Sequence, residues 1–271
     1  MRNLLLCAAA TALTALSVQA DPNLPASLRG VGFDQRLNQQ VPLGAAFHDE
    51  AGREVRLGDY FTNKPVILVL IQYQCPMLCG EILNGLVRAM LDMSLSAGKD
   101  FEVLTVSFDS REGPDLAVAK KAAYLERYGR PGAERGWHFL TGDEDSIHRL
   151  TEAVGFHYTY DAEKDRFAHA SGIMLLTPSG KISRYFYDVK YPPRDLRLGL
   201  VEASEGRIGS RVDQVLLFCF HYDPQEGKYG LAIMNIVRAG GVLTVLGIGL
   251  LVGGLWRLDR RRARRSTMEG A

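Results

Sequence analysis

The segment Val66-Ile-Leu-Val-Leu-Ile71, followed by Gln72-Tyr-Gln-Cys-Pro-Met-Leu-Cys79, decides the fold. The six apolar residues predict a buried strand, and a helix is expected to begin where the two cysteines follow it. Pro76 favours the first helical position, because its missing N–H is not needed there. Cys75 is then expected at the helix N-terminus, where the dipole favours a thiolate, with Cys79 one turn later on the same face. Such a pair can close into a disulfide or present two soft sulfurs to one metal ion.

Beyond the thiol pair, strand and helix patterns alternate along the chain, and a hairpin and a last helix follow them. This alternation predicts an α/β sheet with one antiparallel edge pair. A strand, a thiol pair at the next helix and a closing hairpin together indicate a thioredoxin-like fold, with an N-terminal hairpin as an extension. The predicted strands and hairpins are 47–57, 66–73, 101–108, 137–140, 157–160 and 171–187, and the predicted helices are 75–97, 114–127, 144–154 and 193–203.

The N-terminus has the pattern of a secretory signal peptide. Arg2 supplies a positive charge, residues 4–18 are apolar and small, and Val18-Gln19-Ala20 resembles a cleavage site. An N-terminal membrane anchor is the alternative, but the apolar run is short and rich in alanine. We therefore predict cleavage after Ala20, which also removes Cys7 from the mature protein.

The C-terminal region predicts a membrane span. No charged residue occurs from Ala239 to Trp256, and the largely apolar segment 231–237 precedes this run. Arg238 lies between the two and is expected at the outer interface of the membrane. The combined length is sufficient to cross a hydrocarbon core of about 30 Å. A buried core helix followed by a basic tail is the alternative. The arginines between 257 and 265 are expected to stay cytoplasmic, so the body is predicted to lie in the periplasm of a bacterium, anchored to the inner membrane by one C-terminal span.

Length and charge limit the classes of protein that the chain can represent. The body has the size of one ordinary domain. Lys and Arg number 32 against 31 Asp and Glu, and this balance gives no reason to expect a nucleic-acid partner. The predicted parts are a signal peptide (1–20), a leader (21–41), a thioredoxin-like domain (42–205), a juxtamembrane segment (206–230), a transmembrane helix (231–257) and a basic cytoplasmic tail (258–271).

The predicted compartment bears on the role of the thiols. An oxidising space permits a structural disulfide, but one that closes so short a loop as Cys75 to Cys79 adds little stability. A functional pair is therefore favoured, either a redox dithiol or two ligands for copper(I) or zinc. A metal site needs a third ligand, and composition does not select among the six histidines. In a thioredoxin-like fold, the loop that enters the closing hairpin lies beside the thiol pair, and this position favours His169.

Three motifs carry a resemblance to a known family. They are Tyr73-Gln-Cys-Pro-Met-Leu-Cys79, Val106-Ser-Phe-Asp-Ser-Arg111, and His169 followed by Ile173-Met-Leu-Leu-Thr-Pro-Ser-Gly180. With these motifs the chain resembles the Sco/SenC family of membrane-anchored copper proteins, which help to assemble cytochrome c oxidase. The resemblance implies that Cys75, Cys79 and His169 bind one copper ion. It also implies that oxidation of the two cysteines abolishes or gates this binding.

The resemblance further implies a partner and two possible roles. The partner would be subunit II of cytochrome c oxidase or a similar copper protein. In the first role the protein is a copper chaperone and not an enzyme. In the second it is a thiol–disulfide oxidoreductase that keeps the partner's cysteines reduced, with Cys75 and Cys79 as the catalytic dithiol and a thiol reductant to restore them. In that second role His169 tunes the thiolate instead of binding metal.

Several positions depart from the family pattern. Gly80 replaces the usual proline after the second cysteine, and Ala168 and Ala170 replace the usual acidic residue and the usual serine or threonine around the histidine. A missing carboxylate is expected to alter imidazole orientation and copper affinity. The predicted anchor is C-terminal, whereas the family's is usually N-terminal. Asp109 matches an acidic position near the family's metal site, and a strand-ending or helix-capping role is the alternative.

A second soft site is a further hypothesis. Cys219 and His221 are two residues apart, and on a strand such side chains point in the same direction. They offer a thiolate and an imidazole, which together suit a copper ion. The alternative is an aromatic segment at the membrane interface with a free thiol.

Overall fold

The computed structural model describes residues 30–75, 78–162 and 165–209, and the short pieces 222–223, 228–229, 241, 244–248 and 252. The chain divides into two units after Ile208. The first unit contains all the long elements that the structure describes. These are β1 (Gly32–Phe33), β2 (Ala46–His48), β3 (Glu54–Arg56), β4 (Val66–Ile71), α1 (Leu78–Leu91), β5 (Glu102–Ser107), α2 (Pro114–Tyr128), β6 (Trp137–Leu140), α3 (Glu144–Ala153), β7 (Phe156–Asp161), β8 (Arg166–His169), β9 (Gly172–Leu176), β10 (Ile182–Tyr187) and α4 (Pro193–Ser204), with 3₁₀ turns at Leu57–Tyr60 and Ala133–Arg135.

The central sheet has five strands in the order β10-β9-β4-β5-β6. Strands β4, β5 and β6 are parallel neighbours, and β9 runs antiparallel to both β4 and β10. All six residues of β4 are buried, as expected for a strand in the middle of a sheet that is covered on both faces. The prediction of a mixed α/β domain with an antiparallel edge pair is therefore confirmed.

The side chains of β4 alternate between two apolar cores, one on each face of the sheet. Ile67, Val69 and Ile71 pack in the core that also contains side chains of α1, α2 and α4. Val66, Leu68 and Leu70 pack in the other core, beneath α3 and the hairpin β2–β3. This division follows from the two-residue period of a strand. The strand that delivers the thiol pair is thus fixed from both sides.

Strands β1, β7 and β8 form a separate three-stranded sheet. Gly32 pairs with His157, and Tyr158 pairs with His169. Of these strands the sequence predicted only the one at 157–160. It placed His169 in a loop, whereas the structure places it at the end of β8. Strand β8 has only four residues, and these are of mixed polarity. The segment therefore forms a strand because it pairs with β7, and not because of a local sequence pattern.

Helix α1 is shorter than the predicted helix at 75–97. It ends at Leu91, and the guanidinium of Arg130 donates to the carbonyls of Leu91, Met93 and Leu95 at 2.7–2.8 Å, which holds the chain that follows the helix. The described part of the helix begins at Leu78, since residues 76–77 lie outside the described residues. The predicted apolar stripe is buried at Ile82, Leu83, Leu86, Met90 and Met93.

The ends of the chain are described only in part. Within the second unit, Tyr222–Asp223 pairs antiparallel with Lys228–Tyr229, and residues 241, 244–248 and 252 are helical. Among the residues that the structure describes, no helix is both long and apolar enough to cross a membrane. The predicted signal peptide at 1–20, most of the predicted span at 231–257 and the tail at 258–271 lie outside the described residues.

Candidate metal centre

Three potential ligands from distant parts of the sequence meet at one point. The sulfur atoms of Cys75 and Cys79 and a ring nitrogen of His169 all lie within 4.8 Å of one another. The Sγ atom of Cys79 is 3.1 Å from Nε2 of His169. Because His169 follows Cys79 by 90 residues, only the tertiary fold creates this cluster. The structure therefore brings together the three residues that the sequence singled out.

Each ligand is held by a different element. Cys75 lies in a turn after β4, which its N–H closes with a bond to the carbonyl of Gln72 at 3.4 Å. Cys79 is in the first turn of α1, and its Sγ accepts the N–H of Gln72 at 3.4 Å. His169 ends β8 and thus approaches from the small sheet. The site is assembled where the central sheet and the small sheet meet.

A backbone carbonyl orients the imidazole of His169. Its Nδ1 atom is 2.9 Å from the carbonyl oxygen of Ala170. A carbonyl can only accept, so Nδ1 carries the proton and the lone pair of Nε2 faces the thiols. The family pattern predicts that Ala168, in place of the usual acidic residue, alters the orientation of the imidazole because a carboxylate partner is missing. Instead, the main chain supplies the hydrogen bond that a carboxylate makes elsewhere.

Aromatic side chains form the wall behind the imidazole. The ring of Phe108 lies 5.1 Å from the ring of His169, and that of Phe156 lies 6.2 Å away. Phe108 is also in ring contact with Phe156, Tyr158 and Phe167. These contacts restrict the imidazole to the side of the thiols. They also make the surroundings apolar, which limits the access of solvent to this side of the site.

The two thiols differ in environment. Cys79 is 1% exposed, whereas Cys75 is only partly buried. Both are present as thiols and not as a disulfide. A hydrogen bond with Cys75 and, after it, burial raise the pKa of Cys79 above its ordinary value. Cys79 therefore keeps its proton in the absence of metal, and a bound metal ion has to displace it.

Asp109 is connected to the thiols through one intervening residue, Gln72. Its Oδ2 atom accepts the side-chain amide of Gln72 at 2.9 Å, while the main chain of Gln72 donates to Cys79. Its carboxylate is paired with Arg111 at 2.7 Å. Burial by itself would raise the pKa of Asp109, but the hydrogen bonds and charge of Arg111 outweigh it and lower that pKa below its usual value. Asp109 supports the loop and does not contact the ligand atoms.

Glu112 is a residue of the site that sequence reasoning missed. Its carboxylate accepts the main-chain N–H groups of Tyr73 and Gln74, each at 2.7 Å. These residues directly precede Cys75. The parallel pairing of β4 with β5 offered a signal, because the segments that follow parallel neighbours lie at the same edge of the sheet. An acidic residue shortly after β5 was therefore a candidate for contact with the thiol loop.

The remaining predicted or possible ligands lie elsewhere. Cys219 and His221 are outside the described residues, so the hypothesis of a second site stays a prediction. His157 bonds Asp34 through Nε2 at 2.9 Å, and His148 is exposed on α3. His138 lies beside the carbonyl of Arg135. Within the described residues, the thiol pair and His169 form the group that could hold a metal ion.

Residues 36–199 match the family model described as SCO1/SenC, and this stretch is more than half of the 271 residues. The chain belongs to the SCO1/SenC family. The predicted family is therefore confirmed. No curated protein matches this SCO1/SenC chain in sequence.

Solved structures also resemble this SCO1/SenC chain. A protein of Aquifex aeolicus VF5, which its description associates with electron transfer, is 25% identical, with a TM-score of 0.54; the match covers 63% of this chain and 95% of that one. Copper-bound yeast Sco1 is 18% identical with a TM-score of 0.47, and the match covers 68% of this chain and 94% of that one. BsSco, described as having a disulfide switch and as one of the Sco family of cytochrome c oxidase assembly proteins, is 20% identical with a TM-score of 0.48, and the match covers 64% of this chain and 98% of that one.

Proposed function

We propose that this SCO1/SenC protein is a copper chaperone that carries one copper ion on Cys75, Cys79 and His169 and delivers it to a cytochrome c oxidase. The observation that carries the proposal is the meeting of two thiols and one imidazole within 4.8 Å. Membership of the family adds the expected metal and role. In this role copper is the cargo of the protein and not a resident cofactor.

The donor set suits copper(I). Thiolates are soft ligands that select Cu(I), and an imidazole completes a three-ligand site. The orientation of His169 fits this role, since its Nε2 lone pair already faces the thiols. Zinc also binds such groups, but its structural sites usually have four protein ligands. Three ligands leave a copper(I) ion open to attack by a donor from another protein.

The exposure of the ligands suits transfer. Cys79 is buried, whereas Cys75 and His169 are each partly exposed. A partner's cysteine or histidine can therefore replace these two ligands one at a time, with Cys79 released last. Such stepwise exchange keeps the ion bound throughout. The partner we propose is subunit II of cytochrome c oxidase or a similar copper protein, in line with the description of the Sco family as oxidase assembly proteins.

The location is part of the proposal. The sequence of residues 1–20 is typical of a signal peptide, and the uncharged run with its arginine cluster is typical of a C-terminal span with a cytoplasmic tail. We place the domain in the bacterial periplasm, tethered to the inner membrane. A tethered domain searches for a membrane-bound partner close to the bilayer surface, which raises its effective concentration.

Copper binding by the full chain tests the proposal. The protein, reduced and anaerobic, is titrated with Cu(I) in competition with a chromogenic chelator, beside His169→Ala and the control His157→Ala. His157 belongs to the same small sheet but contacts Asp34. We expect one copper ion per chain, much weaker binding in His169→Ala and unchanged binding in the control. Weak binding that His169→Ala leaves unaltered would contradict the chaperone function.

A second function is favoured by the asymmetry of the thiols. A partly exposed Cys75 beside a buried Cys79 is the arrangement in which one thiolate attacks a partner's disulfide and the other resolves the mixed disulfide. The two thiols then lose two electrons and two protons and become a disulfide, while the partner's disulfide becomes two thiols. A separate thiol reductant restores the dithiol. Retention of this activity in His169→Ala, with copper binding lost, separates the two functions.

A further inference from the structure

The carboxylate of Glu112 is buried and held by neutral donors. Glu112 is 6% exposed. Its Oε2 atom accepts the N–H of Tyr73 at 2.7 Å and the hydroxyl of Ser107 at 2.6 Å, and its Oε1 atom accepts the N–H of Gln74 at 2.7 Å. A buried carboxylate is costly unless its oxygens are satisfied. These contacts satisfy both oxygens, and two of the three come from the loop that ends at Cys75.

The loop has two separate anchors. Tyr73 is 1% exposed, and its hydroxyl donates to the carbonyls of Thr105 and Leu140 on the two neighbouring strands. Its side chain is therefore fixed without Glu112. The bond from the N–H of Gln74 to Oε1 of Glu112 is different, because it holds the main chain of the residue immediately before Cys75. This contact sets where the chain leaves the sheet, and so where the Cys75 sulfur lies.

The chain contains a second buried carboxylate that accepts two main-chain N–H groups, that of Asp49 in the β2–β3 hairpin and not in the thiol loop. In contrast to the neutral donors around Glu112, its Oδ2 atom also pairs with the guanidinium of Arg53 at 2.6 Å. Asp49 is 2% exposed, and its Oδ1 atom accepts the N–H groups of Ala51 and Arg53, each at 2.9 Å. It thus closes the turn of the hairpin as Glu112 closes the thiol loop. Because its loss also breaks the ion pair with Arg53, Asp49 gives an upper comparison for what the loss of such a carboxylate costs in stability alone.

We propose that Glu112 is a positioning residue for the copper site, which holds the loop 72–75 so that the Cys75 sulfur stays within reach of Cys79 and His169. The inference rests on the proposed function for its copper readout. It also has a consequence for the dithiol itself. The ligand atoms lie within 4.8 Å of one another, but an S–S bond is about 2.05 Å long. Closure of the disulfide therefore has to bring the two sulfurs closer together, and Glu112, by holding the loop, opposes any movement of the main chain at Cys75 that closure involves.

Glu112→Gln is the main test, made in the full chain. One oxygen becomes an NH₂ group that donates and faces another donor, so one of the two loop N–H groups loses its acceptor. We expect the Cu(I) affinity to fall by about 10–100-fold, the usual cost of removing a residue that orients a ligand. Glu112→Asp keeps both oxygens and is expected to recover part of this loss. Asp49→Asn is expected to bind copper as the unchanged protein does.

A redox measurement separates this inference from the proposed function. The dithiol is equilibrated with a glutathione buffer, in which oxidised glutathione takes up the two electrons and two protons that Cys75 and Cys79 lose. We expect the equilibrium constant for disulfide formation to rise in Glu112→Gln by up to about tenfold, the equivalent of one lost hydrogen bond. This readout needs no copper, so it remains decisive even if the unchanged protein fails to bind the metal.

The outcomes divide clearly. Lower copper affinity and easier oxidation in Glu112→Gln, both absent from Asp49→Asn at equal loss of stability, support positioning. Equal effects in the two variants, or an unchanged affinity and redox equilibrium in Glu112→Gln, overturn it. If Glu112→Gln fails to fold, Glu112→Asp and Ser107→Ala decide instead. Ser107→Ala removes the hydroxyl that donates to Glu112 and also accepts the N–H of Asp109, but it leaves both N–H bonds from the thiol loop in place. Positioning therefore predicts a smaller shift in the same direction, and no shift in either variant refutes it.

Discussion

The central sheet and the small sheet contribute to the site in different ways. The central sheet supplies the thiols from a strand whose six residues are all buried and from the helix after it. The small sheet, β1-β7-β8, supplies the imidazole from a four-residue strand with no fully buried side chain. One region is fixed by apolar packing on both faces. The other depends on pairing and on aromatic contacts at the surface.

The difference shows that the site depends on the interface between the two sheets. We call this interface the join; the ring of Phe108 is at its centre. Phe108 directly follows β5, so it belongs to the central sheet, yet its ring contacts three aromatic rings of the small sheet and the ring of His169. A metal ion bound by all three ligands would link the same two regions. Copper should therefore stabilise the join, because a ligand that binds only the folded state adds to its stability.

The largest effect is expected from removing a thiol on the central-sheet side. Cys75→Ser leaves a weakly coordinating hydroxyl in place of a soft sulfur, and the partly exposed position tolerates the change. The Cu(I) affinity is expected to fall by more than about 100-fold, which is the upper range for residues that merely orient a ligand. Anaerobic competition with a chelator measures it. A loss smaller than that of His169→Ala would show that the imidazole side dominates binding.

The next largest effect is expected at the join itself. Phe108 is 2% exposed, and Phe108→Ala removes the ring that the two sheets share. The free energy of unfolding is expected to fall by about 3–5 kcal/mol, the usual cost of truncating a buried phenylalanine. Denaturant unfolding with and without Cu(I) measures it. Copper is expected to recover part of the loss, and a variant with normal copper affinity would contradict the role given to the join.

Gly85→Ala tests the packing of the helix that carries Cys79. An added Cβ at Gly85 would lie 1.8 Å from the carbonyl oxygen of Val189, so α1 or the loop after β10 has to shift. Overpacking of this kind costs about 1–3 kcal/mol of unfolding free energy. We expect reduced stability with a weaker effect on copper affinity than that of Phe108→Ala. A larger effect on affinity would show that the position of α1, and not the join, limits binding.

A charged contact also links the two regions, and its contribution is expected to depend on pH. Arg111 pairs with Asp109 after β5 and with Asp165 before β8, and its guanidinium lies 5.1 Å from the ring centre of Tyr160. Although burial alone would raise the pKa of Asp109, hydrogen bonds and charge from Arg111 lower it. A carboxyl with a lowered pKa in the folded state stabilises the protein above its unfolded pKa of about 3.9. That stability is lost as the pH falls through the folded value.

Arg111→Gln is therefore expected to be most destabilising near neutral pH. Asp109 then keeps its burial without its cation, and the gap in unfolding free energy between the variant and the unchanged protein should narrow below about pH 4. Unfolding by denaturant from pH 3 to pH 7 measures the gap. Arg149→Gln is the control, because Arg149 and Asp145 form an exposed pair on α3. A gap that does not change with pH would mean that the stacking of Arg111 on the aromatic rings matters more than its charge.

How much the sequence could predict follows the same division. The buried run 66–71 and the thiols that follow it have a strong local pattern. The sequence therefore predicted the central sheet, the apolar stripe of α1 that packs against it and the candidate ligands. The strands β1 and β8 lack such a pattern, because they become strands only by pairing with β7, which is more than 100 residues away from β1 in the chain. The contact of Glu112 with the thiol loop and that of His169 with the carbonyl of Ala170 also depend on tertiary geometry.

The smallest effect is expected at Gly80, which stands where the family usually has proline. An added Cβ there meets no atom of the described residues within 4 Å, in contrast to Gly85 on the same helix. Gly80→Ala should raise the free energy of unfolding by about 0.5–1 kcal/mol, because alanine loses less conformational entropy than glycine in a helix. Copper affinity should stay the same. If affinity instead fell, the first turn of α1 would have to bend when Cys79 binds the metal, and the central-sheet side of the site would be less rigid than its packing indicates.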